Sequence, residues 1–151
     1  MNDIYGLTPR KLEEKLTEIG EKPSRAYVIL PAVYGELVRD FSELPLKQET
    51  LKKLTDNFTV RDPECVKKLT SDSADKYLFR LADGNMIESV LMKHEFGYNV
   101  CVSTQVGCNM GCKFCASGKL RKVRDLTTAE MVGQLMYIRR DIGQKLNGIS
   151  I

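Results

Sequence analysis

The sequence predicts an α/β chain in three parts. A small helical module occupies residues 1–62, a β-hairpin segment residues 63–93, and the opening strand–loop–helix–strand unit of a parallel sheet or barrel residues 94–151. Three observations carry that expectation. Apolar residues recur at helical spacing up to about residue 57. Alternating apolar and polar residues then bracket Asp83-Gly84, a strong hairpin-turn dipeptide. After Asn99 come a strand-like run, a cysteine-rich loop, a capped helix and a second strand-like run, the order of a parallel α/β unit.

Within the first part, Thr8 can cap a helix with Pro9 at its first position, where the missing N–H costs nothing. Leu12, Leu16 and Ile19 share one face, and Gly20 ends the helix. Pro23 and Ser24 begin a second helix holding Ala26, Tyr27 and Leu30, which Pro31 should kink or end. A third helix runs from Leu46 to Asn57 and carries Leu51 and Leu54. Helices this short need partners to be stable.

Past Pro63, Tyr77, Phe79 and Leu81 alternate with Leu78 and Arg80. Asp83-Gly84 predicts a two-residue turn, and Met86 to Met92 a second strand. Its near-continuous apolar run predicts burial on both faces, with Glu88 in the middle. Val100 to Thr104 reads as a third strand. Thr127-Thr128-Ala129-Glu130 is a capping box. It opens a helix with Met131, Leu135, Ile138 and Ile142 on one face. Asn147-Gly148 predicts the C-terminal cap of that helix, and Ile149-Ser150-Ile151 begins another strand. The cysteine loop then lies at the C-terminal end of a strand, where barrel enzymes gather their active sites. A single such unit cannot close a barrel. The chain therefore reads as an incomplete core, or as a mini-domain that dimerises to cover itself.

The chain has 151 residues, enough for one ordinary domain or two small ones. Hydrophobic residues at 42% support a folded core, and charged residues at 28% indicate a soluble protein rather than a disordered one. No run of eighteen apolar residues occurs, and Met1 to Arg10 lacks a signal pattern. The expected compartment is therefore the cytosol. There, five cysteines point to metal binding or catalysis rather than structural disulfides. A net charge of +3 is compatible with a nucleic-acid partner without demonstrating one.

Chemistry concentrates in Cys108-Asn109-Met110-Gly111-Cys112-Lys113-Phe114-Cys115. Three thiolates at spacings of four and three can converge on one small metal centre. A 4Fe–4S cluster normally takes four cysteines, and no fourth follows nearby. One iron would be left open, as the open position of a catalytic zinc is. A zinc site and three unliganded thiols are the alternatives. Cys101 and His94 do not stand at standard zinc spacing from the trio, which favours the iron–sulfur reading. His94, without a second ligand, reads as a surface or structural residue, and Cys65 as structural.

The trio is the signature of the radical S-adenosylmethionine (SAM) enzymes, which this sequence resembles. Cys101-Val102-Ser103-Thr104-Gln105-Val106-Gly107-Cys108, joined to Cys112-Lys113-Phe114-Cys115-Ala116-Ser117, narrows the resemblance to the RlmN/Cfr family of RNA adenine methyltransferases. It extends through Ile87-Glu88-Ser89-Val90, Gly20-Glu21-Lys22-Pro23-Ser24-Arg25-Ala26, and Arg124-Asp125-Leu126-Thr127 to Gln134, and is weak over 35–75. The resemblance implies a partial TIM-type radical SAM barrel preceded by a helical, RNA-gripping accessory domain. It implies methylation at C2 of adenosine in 23S rRNA and tRNA, or at C8 for the Cfr branch.

The resemblance also implies residue roles. Cys108, Cys112 and Cys115 would hold the 4Fe–4S cluster, whose open iron binds SAM. Phe114 would pack by the cluster or the adenine, which is compatible with its being ordinary core. An electron donor such as flavodoxin or ferredoxin would reduce the cluster. Glu88 would accept the proton from the modified adenine carbon. A carboxylate on an apolar strand suits that task, because desolvation raises its pKa; a solvated or ion-paired Glu is the competing reading. Cys101 would be the resolving cysteine, forming a transient disulfide that releases product; a small buried hydrophobe is its alternative. Lys113, Lys119, Arg121, Lys122 and Arg124 make a basic cluster that would attract RNA phosphates, or simply a solvated loop. The chain lacks a Gly-Glu-Pro-type SAM segment and the methyl-carrying cysteine. It is therefore expected to be the N-terminal portion of a longer enzyme, inactive alone. A zinc- or RNA-binding remnant is the competing class.

Overall fold

The computed structural model describes residues 1–110, 113 and 120–151. They fall into two units, Met1–Arg61 and Asp62–Ile151. The first unit begins with a two-residue strand, β1 (Asn2–Asp3). The Thr8 hydroxyl accepts the Lys11 N–H at 3.3 Å and opens α1 (Pro9–Glu18), with Pro9 at its first turn. Leu12 and Leu16 are fully buried. Past α1, the Gly20 N–H donates to Thr17 O and the Glu21 N–H to Leu16 O, which closes the helix end. α2 (Ala26–Leu30) follows, burying Ala26 and Ile29 and leaving Tyr27 72% exposed, so Tyr27 is not part of its core face.

The α-helix ends at Leu30, immediately before Pro31, as expected. The chain widens there into a π turn, Pro31–Gly35, closed by the Glu36 N–H on Pro31 O. A wider turn accommodates the ring and the absent donor. α3 (Gln48–Asn57) buries Leu51 and Leu54. β2 (Phe58–Thr59) then pairs in parallel with β1. The Glu21 carboxylate joins the α1–α2 turn to α3, 2.7 Å from Arg25 Nε and 3.3 Å from Lys53 Nζ. Burial alone would raise its pKa, but Lys53 and Arg25 outweigh that and hold it below the usual carboxylate value.

The second unit is a five-stranded sheet with one long helix. β3 (Glu64–Thr70), β4 (Ala74–Arg80), β5 (Met86–His94) and β6 (Gly97–Cys101) pair antiparallel in sequence order. The predicted Asp83-Gly84 hairpin forms, but with a three-residue connection. The ladder extends to a Leu81 N–H on Asn85 O, and the Gly84 N–H closes a turn on Leu81 O. β3 has no counterpart in the sequence reading. It is an edge strand, nearly all exposed, and its charges give no burial pattern to read. β5 alternates instead of being buried on both faces: Ile87, Ser89 and Leu91 point into the core, whereas Met86 and Glu88 are exposed.

Two further short strands, β7 (Gln105–Val106) and β8 (Arg124–Asp125), pair antiparallel with each other. α4 (Thr128–Ile142) then leads to β9 (Gly148–Ser150), which lies parallel to β6 with Val100 opposite Ile149. The strand–loop–helix–strand unit is thus present. Its details differ at both ends. β6 starts at Gly97 and stops at Cys101 rather than running from Val100 to Thr104. α4 is capped by Gly143, left-handed at φ 64°, and not by Asn147-Gly148. Asn147 docks β9 onto β6 instead, exchanging hydrogen bonds with the Tyr98 backbone at 2.7 and 3.0 Å.

The core of this unit gathers Tyr77, Phe79, Ile87, Leu91, Val100 and Ile138, with Met131, Leu135 and Ile142 of α4 packed against it. Tyr137 meets Tyr77 and Phe79 edge-on at 6.3 and 5.1 Å between ring centres. At the end of the sheet where β6 begins, the Tyr77 hydroxyl donates to Asp141 at 2.7 Å. Lys68 pairs with Asp141, and Lys68 and Lys93 neutralise the buried Asp75. Burial and the Asp141 charge hold the Tyr77 pKa above its ordinary value.

Arg124 ties the opposite end together. Its guanidinium takes both oxygens of Glu130, at 2.7 and 2.8 Å, and reaches Asp83 in the β4–β5 turn at 2.6 Å. Glu130 completes the capping box with Thr127 at the start of α4. Arg124 holds the Glu130 carboxyl below its ordinary pKa against the effect of burial. Hydrogen bonds from Asn85, then Arg124, bring Asp83 down to about 2. A carboxylate with a depressed folded pKa stabilises the fold above its unfolded pKa, and that stability is lost as pH falls through the folded value. Glu130→Gln should therefore lower the unfolding free energy by about 1 kcal/mol at neutral pH. The gap from wild type, read by denaturant melts, should close as pH falls below about 4.3. A gap that stays constant into acid would show that the Glu130 charge contributes nothing.

Candidate active site

The cysteine loop rises from a closed neck. β7 and β8 pair Gln105 with Asp125 and Val106 with Arg124. The Val123 N–H donates to Val106 O at 2.8 Å, and the Leu126 N–H to Thr104 O at 2.8 Å. One step further, the Cys108 N–H donates to Leu120 O at 2.9 Å. Gly107 is required in this neck. Its φ is +72°, and a Cβ there would lie 2.1 Å from the Arg121 carbonyl oxygen. The backbone therefore fixes where Cys108 enters the loop.

Cys108 is half-buried and free, and its sulfur accepts the Met110 N–H at 3.4 Å. Cys112, Phe114 and Cys115 lie outside the described residues, as does Lys119. Among the described residues no group of three metal-binding side chains occurs. The donor set of the loop itself, three thiols on one short loop with Cys108 at its neck, fits an iron–sulfur cluster.

Glu88 and Cys101 lie on adjoining strands and share one face of the sheet. Val90 stands opposite Cys101, and Glu88 is the diagonal neighbour, roughly 7–8 Å away in such a ladder. This is the face turned away from α4, since Leu91 and Val100, one residue along on each strand, are buried in the core. Glu88 is exposed and pairs with Lys76 at 2.8 Å, so the expected desolvation by a doubly buried strand is absent. Cys101 is half-buried and free, at the last ladder position before the loop.

The basic cluster is smaller than its sequence suggested. Arg124 is spent on Glu130 and Asp83, and Lys122 pairs with Asp125 at 2.6 Å. Lys113 and Arg121 are exposed. His94 stacks on the exposed Phe96, 4.8 Å between ring centres. The Cys65 sulfur donates weakly to Lys67 O and packs against the core.

Sequence reasoning missed a buried polar cluster beneath this face. Gln134 is fully buried on α4. Its Oε1 accepts from the Ser89 hydroxyl at 2.7 Å and the Ser103 N–H at 3.0 Å. Its Nε2 donates to Ser103 O and Glu130 O. The Ser103 hydroxyl in turn donates to Glu88 O at 2.7 Å. The available signal was a glutamine inside the apolar stripe of Met131, Leu135 and Ile138.

No protein-family model matches the chain. Curated relatives do. The probable dual-specificity RNA methyltransferase RlmN of Listeria welshimeri is 48% identical over 140 residues, covering 91% of this chain and 38% of that protein. Its namesake in Acholeplasma laidlawii is 45% identical over 150 residues, 98% of this chain and 44% of that one. The Oceanobacillus iheyensis protein is 43% identical over 146 residues. The crystal structure of a radical SAM methyltransferase from Sphaerobacter thermophilus superposes with a TM-score of 0.88 at 35% identity. It covers 99% of this chain and 46% of that one. The chain thus spans about two fifths of the length of the curated relatives it matches. Within that span, by sequence and by fold, it belongs to the RlmN family of radical SAM methyltransferases.

Proposed function

We propose that this chain carries the cluster-binding loop, the proton acceptor and the resolving thiol of an enzyme that methylates C2 of adenosine in 23S rRNA and tRNA. The observation that carries the reading is that Glu88 and Cys101 share one sheet face, and that the strand bearing Cys101 leads directly into the β7–β8 neck from which the cysteine-bearing segment starts. The relatives' names, dual-specificity RNA methyltransferase, support the substrate class.

In this reading Cys108, Cys112 and Cys115 hold a 4Fe–4S cluster and leave one iron open to SAM. The bound cluster supplies the electron, taken from a flavodoxin- or ferredoxin-type donor, that initiates radical chemistry. Glu88, solvated and ion-paired before RNA arrives, exchanges Lys76 for the proton leaving the adenine carbon. Cys101 forms a disulfide with a methyl-carrying cysteine beyond this chain as the carbon–sulfur bond to product breaks. Its place at a strand end gives it the access such exchange demands. Phe114 shields the cluster or stacks on the adenine. Lys113 and Arg121 offer charge to RNA phosphates.

Anaerobic reconstitution with iron and sulfide tests this. The chain should take up about four irons and absorb broadly in the visible range. Cys112→Ala should abolish both. Stoichiometric zinc with no such absorption would overturn the reading and favour a zinc-binding remnant. Gly107→Ala should retain well under half of the iron while its thermal unfolding still shows a folded sheet, because the added Cβ forces open the neck and not the core.

A further inference from the structure

Backbone groups in a sheet need partners, and Ser103 lies past the last ladder pair of β5 and β6. β6 ends at Cys101, and Val102 makes the last sheet bond, its N–H donating to Ser150 O at 3.0 Å. Buried peptide groups left unpaired are costly. Both the N–H and the C=O of Ser103 are instead taken by a single side-chain amide, that of Gln134, at 3.0 Å each.

That amide is fully committed. Its oxygen accepts two bonds and its nitrogen donates two, to Ser89, Ser103 and Glu130. The opposite orientation would face its NH2 toward the Ser103 N–H, so the network allows one orientation. Gln134 thus acts as a substitute strand. It grips the backbone two residues after Cys101 and, through Ser89, the residue next to Glu88. The Ser103 hydroxyl closes the circuit on Glu88 O.

We propose that Gln134 is the positioning residue of this site. Its buried amide fixes the ends of β5 and β6 so that Glu88 and Cys101 stay on one face beside the cysteine loop. The functional meaning rests on the roles given above to Glu88 and Cys101. An apolar residue of the same length would fill the space under the sheet equally well. What it could not do is hold Ser103.

The test uses the iron-free chain and iodoacetamide, with alkylation of each cysteine followed by peptide mass spectrometry. The quantity read is the rate at Cys101 divided by the rate at Cys65, which lies in β3 outside the network. In Gln134→Met the strand end frays, and this ratio should rise about tenfold, as the loss of two backbone bonds implies. Ser89→Ala, which removes one bond and leaves the grip on Ser103, should raise it no more than about threefold. Gln134→Glu gives the decisive comparison. Protonated, its carboxyl accepts through one oxygen and donates one bond through the other, which restores the grip on Ser103 though not the second bond to Glu130 O, so in acid the ratio should return to within about threefold of the wild-type value. Ionised, it cannot donate to Ser103 O, and the ratio should rise as in Gln134→Met. A ratio within twofold of wild type in Gln134→Met, or absence of acid rescue in Gln134→Glu, overturns the proposal. Should Gln134→Met unfold, both cysteines accelerate together and Gln134→Glu decides alone. Neither iron nor RNA is needed, so failed cluster reconstitution would sink the proposed function and leave this result standing.

Discussion

The register of β5 against β6 is the constraint on which the site depends. Side chains alternate across a strand, so a slip of one residue would turn Glu88 and Cys101 into the core and Ser89 and Val100 out of it. Hydrophobic burial of Leu91 and Val100 resists that slip along most of the pair. At the Cys101 end of β6 the ladder stops, although Ile87 and Val102 there are still buried in the core. There polar contacts add to that burial in holding the register: Gln134 on Ser103 and Ser89, and Ser103 on Glu88. The fold thus replaces a strand by an amide where it needs backbone free to lead into a loop.

Two devices then isolate the loop from the fold beneath it. The β7–β8 neck closes the chain on itself before Cys108 and after Leu120, with no room at Gly107 for a side chain. Arg124 binds that neck to the β4–β5 turn and to the capped start of α4. The two ends of the cysteine-bearing segment are therefore fixed by backbone pairing. The basic residues near the loop are partly committed to the same framework. Arg124 and Lys122 are structural cations, whereas Lys113 and Arg121 are exposed.

Much of this was legible in the sequence where local chemistry decides structure. Thr8-Pro9 and Thr127 to Glu130 specify helix starts by their own side chains, and both form. Asp83-Gly84 announces its hairpin, though the three-residue connection follows from strand pairing, which the dipeptide does not encode. β3 was illegible because an exposed edge strand has no apolar period. Burial of β5 on both faces was misread because Val90 and Met92 are apolar yet point away from the core beneath α4. At the site, the thiol spacing and the positions of Glu88 and Cys101 were readable, but the solvated, Lys76-paired state of Glu88 was not. Gln134 escaped because a polar residue in an apolar stripe reads as a flaw until its partners are seen.

The central claim is that the cysteine loop, Glu88 and Cys101 form one site. A reduced iron–sulfur cluster is paramagnetic and broadens the nuclear resonances closest to it. NMR of the isotope-labelled, reconstituted chain before and after reduction tests the claim directly. The account predicts that Cys101 and Glu88 signals are lost on reduction, while those of Lys68 and Asp141, at the far end of the sheet, persist. Sharp Cys101 and Glu88 signals beside a bound, reduced cluster would contradict it.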